Sequence, residues 1–524
     1  MSEWKTYKLG EVVEINPRIT LKQGNEYSFV EMKDLDATFK YVSPSIKKEL
    51  KGGAKFQNGD TLFARITPCL ENGKICQVKN LDDNVGFGST EFLVFRGKEN
   101  ISNSDFVYYL SRSEFVKNNA IQMMTGTSGR QRVEKSALEE LEITIPDLAT
   151  QTQIAAILTS LDDKIELNLQ MNQTLEAMAQ ALFKEWFVNF NFPDHDLLDE
   201  QEGLNHDSLD LLDEQEGLNH DSLDLLDEKE SLNHDSLDLL NEKEGLNHDS
   251  LDLLDGQDSE KKKSKEKNQG NQDNPQNQGS DKLPKGWRMA SIGELFKLTI
   301  GGDWGKEEFS DEFSENSFIV RGTDFEKIIN GNISTVPNRF IKKSNFIKRK
   351  IENGDILLEI SGGSKDQPTG RTILFTNELL SQFNNPVVPA SFCRLIRPLN
   401  FEYSIFLDVF FKYFYQIGGT WEYQNQSTGI SNFQFVFFSE NKKIALPENE
   451  ILINKFSEII KPMKKRIDEN SLQIQTLTQT RDTLLPKLMS GRLNLDFLDG
   501  QDSKDFKKSN QGNQENPQNQ GSDK

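Results

Sequence analysis

Side chains able to carry acid–base, nucleophilic or metal chemistry are scarce where a fold could use them. All five histidines, His195, His206, His220, His234 and His248, fall in one acidic stretch. Ser-His-Asp and Cys-His catalysis and His-ligated metals need a neutral imidazole as base or ligand, so none is expected outside that stretch. Cys69, Cys76 and Cys393 do not fall into a paired metal-ligand pattern. Asn384-Asn385-Pro386-Val387 fails the Asn/Asp-Pro-Pro-aromatic pattern of amino-group methylation, and Gly363 to Arg371 lacks the spacing and the Gly-Lys-Ser/Thr of a phosphate loop. A single catalytic pocket is not the natural first expectation.

What remains is binding chemistry. Two small polar loops, Thr125 to Gln131 (TGTSGRQ) and Ser427 to Phe433 (STGISNF), combine Gly, Ser and Thr with longer polar side chains. Such loops bring backbone amides and hydroxyls close to phosphates while arginine, asparagine or glutamine reaches base edges. They are also ordinary surface turns. Candidate contact residues are Arg65, Lys74, Ser128, Arg130 and Arg132 in the first half, and Lys365, Arg371, Ser431, Asn432 and Gln434 in the second. Two basic runs accompany them: Lys40, Lys47, Lys48, Lys51 and Lys55, relieved only by Glu49, and Arg339 to Lys350, with six positive charges and no acid. Release of counter-ions from phosphates rewards such clusters, although a solvated lysine face is the commoner meaning.

The elements that must position these residues are written twice. A globular stretch followed by a long heptad helix runs from Trp4 to about Asn191, and the plan returns from Trp287 to about Leu495. Each head opens with Trp and a Leu/Ile-Gly-Glu turn (Leu9-Gly10-Glu11; Ile292-Gly293-Glu294) and has an Asn-Gly-Asp turn before a hydrophobic strand (KFQNGDTLFARI from Lys55; KIENGDILLEIS from Lys350). Asn-Gly tolerates the positive φ of tight turns, and the short β-branched and aromatic runs between turns predict mixed α/β heads rich in strand. Pro146 and Pro447 end strand-like runs and begin the stalks, because proline suits a strand's exit and a helix's first turn.

In the first stalk the seam residues are Ile154, Leu158, Leu161, Ile165, Asn168, Asn172, Leu175, Ala179, Leu182 and Trp186. A shift of 302 residues lands on Phe456, Ile460, Met463, Ile467, Asn470, Ile474, Leu477, Arg481, Leu484 and Leu488, so the polar break at Asn168 recurs at Asn470. A repeat of 3.5 residues is a coiled-coil seam, and an asparagine in it fixes register. The stalks are expected to pair with each other, the alternative being amphipathic helices packed on their own heads. Heads at opposite ends require an antiparallel pair. A helix of roughly 35 residues is about 50 Å long, well over one turn of duplex DNA at ~34 Å, so the pair would serve as a ruler.

Charge is uneven along the 524 residues. The net charge is -22, but Asp194 to Asp255 holds 22 acids against Lys229 and Lys243, a balance of -20 that leaves about -2 for everything else. The acidic average therefore says nothing against a nucleic-acid partner for the heads. This stretch contains four near-identical 14-residue blocks (197–210, 211–224, 225–238 and 239–252) of the form LLDEQEGLNHDSLD. Leucine recurs every seven residues, yet acids such as Glu214 and Asp221 fill the complementary seam, so an acidic, weakly helical tether is expected rather than a zipper. A Gly-, Asn-, Gln- and Lys-rich segment from Asp255 to Lys282 returns almost verbatim as the tail from Asp499, and both are expected to be disordered. An odd cysteine count, no signal peptide after Met1 and no long apolar run suggest a cytoplasmic protein with no membrane partner.

The organisation resembles the DNA-specificity subunit of type I restriction-modification systems. The resemblance covers both heads and both stalks, and is most telling in LEELEITIPDLATQTQIAAILTSLDDKIELN from Leu138 and TRDTLLPKLMSGRL from Thr480. It implies an α+β fold in which two mixed α/β target recognition domains are joined by two long antiparallel coiled-coil helices in a pseudo-twofold arrangement, with a disordered acidic repeat linker. The boundaries would be 1–146 and 283–447 for the recognition domains, 147–192 and 448–495 for the helices, 193–282 for the linker and 496–524 for the tail. Each head would read half of a bipartite site in double-stranded DNA. Two methyltransferase (modification) subunits would grip the helices and methylate adenine with S-adenosylmethionine, and restriction/translocase subunits would add ATP- and Mg-dependent cleavage. The chain itself would be non-catalytic and bind no cofactor. In such a family, repeats that lengthen the helical spacer would alter the gap in the site; here they follow the aromatic run Trp186 to Phe192, so little change of gap is expected. Rival readings are a free-standing fused restriction-methylation enzyme and a coiled-coil scaffold that binds no DNA.

Overall fold

A computed structural model describes residues 4–127, 129–193, 283–363, 367–427 and 430–492. The acidic blocks, the segment after them and the C-terminal tail lie outside the described residues, as do Ser128 and Lys365. The described residues up to Lys184, from Ser291 to Lys442 and from Ile453 onward form one compact unit, and those of 185–290 and 443–452 form a second.

Head one begins with β1 (Lys5–Lys8), α1 (Leu9–Val12), β2 (Val13–Ile15), β3 (Glu26–Val30), β4 (Tyr41–Val42) and β5 (Ile46–Glu49). It continues through β6 (Ala54–Gln57), β7 (Thr61–Ala64), β8 (Ile75–Val78), β9 (Val85–Gly88) and β10 (Phe92–Gly97), then α2 (Ser104–Arg112), α3 (Glu114–Gln122), α4 (Lys135–Glu139) and β11 (Glu142–Ile145). Its strands form a five-stranded sheet, β2-β10-β7-β8-β4, a four-stranded sheet, β5-β3-β9-β6, and the ribbon β1-β11. The first stalk is α5 (Leu148–Phe183).

The second half repeats the order: β12 (Trp287–Ser291), β13 (Phe296–Gly301), β14 (Glu315–Val320), α6 (Phe325–Ile329), β15 (Asn338–Ile341), α7 (Lys343–Arg349), β16 (Ile356–Glu359), β17 (Ser361–Gly363) and β18 (Thr372–Leu374). Then come α8 (Asn377–Leu380), β19 (Val387–Pro389), β20 (Cys393–Pro398), α9 (Phe401–Gln416), β21 (Gln424–Ser427), β22 (Ile430–Phe433), α10 (Phe435–Asn441), β23 (Lys443–Pro447) and the second stalk, α11 (Ile451–Met489). The sheets β13-β20-β16-β18 and β15-β14-β19 copy the strand order of head one, down to the parallel pairing of β14 with β19 that matches β3 with β9. Head two adds a small sheet, β17-β22-β21.

The recurring motifs have specific physical jobs. In both Gly-Glu turns the glutamate caps a helical turn: Glu11 accepts from the Lys8 amide at 2.9 Å and Glu294 from the Ser291 amide at 2.8 Å. The glycines permit close approach, since a Cβ on Gly10 would stand 2.9 Å from the Glu139 Cβ and one on Gly293 2.8 Å from the Ser439 carbonyl. The aspartates of both Asn-Gly-Asp turns are buried beneath the turn. Asp60 receives Arg96 Nε and Nη2, both at 2.7 Å, and Asp355 receives Arg397 Nε at 2.8 Å and Nη2 at 2.7 Å. Bidentate pairs of this kind fix a turn against the sheet more firmly than a backbone preference alone.

The stalks pair antiparallel. Asp147 caps α5, its Oδ1 accepting from the Thr150 amide at 2.8 Å directly after Pro146. Partner numbers then fall along α11 as they rise along α5. Arg481 Nη1 donates to Asp162 Oδ1 at 2.6 Å, Asn168 Nδ2 to Gln473 Oε1 at 2.7 Å, and Asn470 Nδ2 to Asn172 Oδ1 at 2.8 Å, while the Phe183 and Phe456 rings lie 6.1 Å apart. Leu158, Ile165, Asn168, Ile460, Ile467 and Asn470 are buried as the heptad reading requires. Leu161, Leu175, Met463 and Leu477 are only half-buried. In place of Leu161 and Met463 the buried positions are Asp162 and Lys464, one residue on, because the helices also pack on the heads and use charged pins there.

Those pins tie heads to stalks. Asp162 also accepts from the Tyr109 hydroxyl at 2.6 Å, and Arg481 donates to the Thr38 carbonyl at 2.9 Å. Burial, then Asp162, holds the Tyr109 phenol far above its ordinary range. Lys40, which the sequence groups with a basic run, is buried and donates to Asp105 at 2.9 Å and Thr159 at 2.8 Å. On the other side Lys464 holds Asp468 at 2.5 Å, and Asp468 accepts from Thr376 Oγ1 at 2.5 Å. Lys412 reaches Glu176 at 2.7 Å; although burial opposes it, the pull of Lys412 leaves the Glu176 carboxyl below its ordinary range. The apolar core of head one is continuous with both helices, taking in Ile154, Ala155, Leu158 and Leu488.

In the second unit α5 continues through a π-type turn, Lys184–Val188, and the rings of Phe187, Phe190 and Phe192 lie 6.0, 5.0 and 5.6 Å from the Trp287 ring. The described chain therefore leaves this cluster just after Phe192 and returns to it just before Trp287.

Replacing Asp162 with Asn or Arg481 with Met should each cost roughly 3–5 kcal/mol in urea melts, because each strands a buried polar partner. The double substitution should cost clearly less than the two added together. Additive losses would show that the two side chains do not act as a pair.

Candidate nucleic-acid interface

The polar loop of head one closes on itself through paired Thr125 and Arg132, with Gly126 at φ 129° and Gly129 at φ 81°. Arg130 projects from it, exposed. Arg132 is half-exposed and bidentate to Glu91, with Nη2 to Oε1 at 2.6 Å, and that hydrogen-bonded guanidinium draws the Glu91 carboxyl below its ordinary range. Arg65 pairs with Glu134 at 2.9 Å. Lys74 Nζ is spent on the Met32 carbonyl at 2.8 Å, a structural anchor.

Arg65 also lines an open cleft of about 560 Å³ with Arg18 and Lys55, and no carboxylate lines it. Gly53 at its edge has φ +117°, and an added Cβ would lie 2.1 Å from the Gly88 carbonyl oxygen, so only glycine fits. Arg18 stands alone in the sequence, and nothing there signals that β2 and β6 bring it beside Lys55 and Arg65.

Head two differs from its sequence reading. The segment read as a small polar loop is largely strand β22, where Asn432 pairs with Asn425 and Ser361. The Ser431 hydroxyl is buried and donates to Gln424 Oε1 at 2.5 Å, so it faces inward. Gln434 Nε2 donates to Asn425 Oδ1 at 2.8 Å, and Asn432 is exposed. Arg371 is bidentate to the buried Glu359 at 2.6 and 2.9 Å, which makes it a fold-stabilising residue first. In the basic run, Arg339 pairs with Glu307 at 2.9 Å and lies 4.7 Å from the Trp304 ring centroid, and Lys342 pairs with Glu312. Lys343, Lys348 and Lys350 remain exposed on and beside α7.

The cleft of head one gathers three cations and no carboxylate, and head two keeps exposed lysines on and beside α7. Residues 1–177 match the family described as Type I restriction modification DNA specificity domain. That stretch is similar to the specificity domain. It is 38% identical over 196 residues to the type I restriction enzyme HindI specificity subunit of Haemophilus influenzae, covering 36% of this chain and 42% of the relative. With the EcoAI specificity subunit of Escherichia coli it shares 34% over 173 residues, 31% of this chain and 29% of the relative. These matches span less than half of either relative's length. A fuller match, 23% identical over 95% of both chains, is the MjaIX specificity subunit of Methanocaldococcus jannaschii. Among solved structures, the type I restriction-modification S subunit from M. genitalium covers 93% of this chain and 96% of its own at 15% identity, with a TM-score of 0.42.

The matched stretch takes in head one and most of α5, and holds Arg18, Lys55, Arg65, Arg130 and Arg132. Among the described residues no helix is long and apolar enough to cross a membrane, and no group of histidine, cysteine and acid could hold a metal.

Arg371→Ala should destabilise the chain by about 3–5 kcal/mol by leaving Glu359 buried and unpaired. Arg130→Ala should leave the melting curve within roughly 0.5 kcal/mol of the parent. Equal, small losses for both would show that the Arg371 pair does not stabilise head two.

Proposed function

We propose that the chain is the DNA-specificity subunit of a type I restriction-modification complex. Each head reads one half of a bipartite site in double-stranded DNA, and the antiparallel helices set the unspecified gap. The observation that carries this reading is the duplication: two heads of the same strand order on two helices that pair antiparallel. The 36 residues of α5 make a rod of about 54 Å at 1.5 Å per residue, longer than the ~34 Å turn of B-DNA. Since Asn470 meets Asn172 while its counterpart in the shift is Asn168, a pseudo-twofold axis would pass near Gln170 and Leu472.

The chemistry belongs to partners in this reading. Two modification subunits supply adenine methylation with S-adenosylmethionine, and restriction/translocase subunits use ATP and Mg; the chain itself directs them, in the cytoplasm. The candidate DNA contacts are Arg65, Ser128, Arg130 and Arg132 in head one, joined by Arg18 and Lys55, and Lys365, Asn432 and Gln434 in head two. Lys74, Arg371 and Ser431 support these surfaces from within.

Methylation mapping in a host that carries this chain and its partner subunits should yield a bipartite adenine motif with one fixed gap. A contiguous motif, or no new motif, would overturn the proposal. Deleting block 211–224 should leave that gap unchanged, because Phe192 and Trp287 close the chain at one cluster on either side of the blocks. A gap altered by the deletion would show that the blocks belong to the ruler.

A further inference from the structure

The arginines of head two are almost all committed. Arg321 is held by Asp324, Arg339 by Glu307, Arg371 by Glu359 and Arg397 by Asp355, while Arg349 donates to the Gly301 carbonyl. Arg394 stands apart. Among the described residues no carboxylate pairs with it, so burial lowers its pKa with nothing to offset the cost, and its Nε, like that of Arg339, is buried without a hydrogen-bond partner. Its guanidinium lies 4.8 Å from the Phe435 ring centroid. A guanidinium held without an anionic partner is costly to bury, and a bound anion would offset that cost.

Arg394 opens into a cleft of about 510 Å³ walled by Phe433, Gln434, Phe435, Val436 and Phe437. Val436 and Phe437 are 60% and 52% exposed, an apolar shelf left in water beside the cation. Glu440 also lines the cleft and forms no ion pair with Arg394. The shelf lies shortly after β22, which carries the exposed Asn432, and half-exposed Gln434 between them lines the same cleft. A guanidinium beside an exposed aromatic edge matches a nucleotide unit: the fork takes two phosphate oxygens, and the ring takes the flat face of the adjoining sugar or base.

We propose that Arg394, with Phe435 behind it and Phe437 beside it, forms a phosphodiester-binding subsite through which head two grips the DNA backbone. The proposal rests on the DNA-binding reading above and adds to it the specific residue and the group it takes. The contact carries affinity and placement rather than sequence choice, because a phosphate is the same at every base pair.

The test is the binding of the full chain to a random-sequence 40-base-pair duplex, followed by fluorescence anisotropy across a salt series. Arg394→Gln should bind roughly tenfold more weakly, the effect of losing a charge-assisted hydrogen bond. Its slope of log affinity against log salt should be shallower by ~0.9, one phosphate's counter-ions. Arg394→Lys should keep the parental slope, and Phe437→Ala should weaken binding without changing it. Glu440→Gln should tighten binding. Melting curves matching the parent's would exclude misfolding, and any variant that melts early is replaced in the comparison by Glu440→Gln, which retains Arg394. If the parent binds with a salt-dependent slope that Arg394→Gln leaves unchanged, the subsite is wrong while the DNA reading stands. If the parent binds without salt dependence, or not at all, both fail. Inorganic phosphate that competes as well as duplex at equal phosphate concentration would mean a small-anion site and overturn the assignment to DNA.

Discussion

Everything in the larger unit depends on two long helices lying antiparallel with a polar, not merely apolar, seam. An oily heptad stripe slides easily by a turn, whereas Asn470 on Asn172 and Arg481 on Asp162 have good partners in one register only. A buried ion pair contributes little net stability, since removing both charges from water offsets most of their attraction. Its value lies in making every other register worse. The same residues reach outward, Asp162 to Tyr109 and Arg481 to the Thr38 carbonyl, so helix register and head-one position are one variable.

The heads use carboxylates to hold most of their arginines in place. The Asp60–Arg96 and Asp355–Arg397 pairs lie under matching turns and build the sheets rather than the surface. Pairs such as Arg132–Glu91 and Arg65–Glu134 sit closer to solvent, where an ion pair is weak and a phosphate can compete with the carboxylate. Among the described residues, cations without a carboxylate partner include Arg18, Lys55, Arg130 and Arg394, each exposed or half-exposed. Net charge for the whole chain conceals this, because the acid is concentrated between the two halves.

The second unit shows how so long an insertion is accommodated. Three phenylalanines around Trp287 bring the two ends of the insertion to one place, so the chain on either side need not adjust to its length. Loop closure costs grow only as the logarithm of length, which makes repeat number a weak variable for fold stability.

Periodicity and duplication alone determined the two heads, the two stalks and their pairing, because a heptad pattern and a shift of 302 residues are properties of residue order. The likeness to specificity subunits was legible for the same reason. Side-chain commitments were not. Lys40 reads as one lysine in a basic run and is buried against Asp105; Ser431 reads as a loop hydroxyl and faces Gln424; Arg371 reads as a contact residue and holds Glu359. Leu161 fits the heptad as well as Asp162 does not, yet Asp162 takes the buried place because Tyr109 and Arg481 meet it there. Local order fixes which face of a helix is apolar. Which charged groups find partners depends on residues hundreds of positions apart, and only the folded chain brings them within hydrogen-bonding reach.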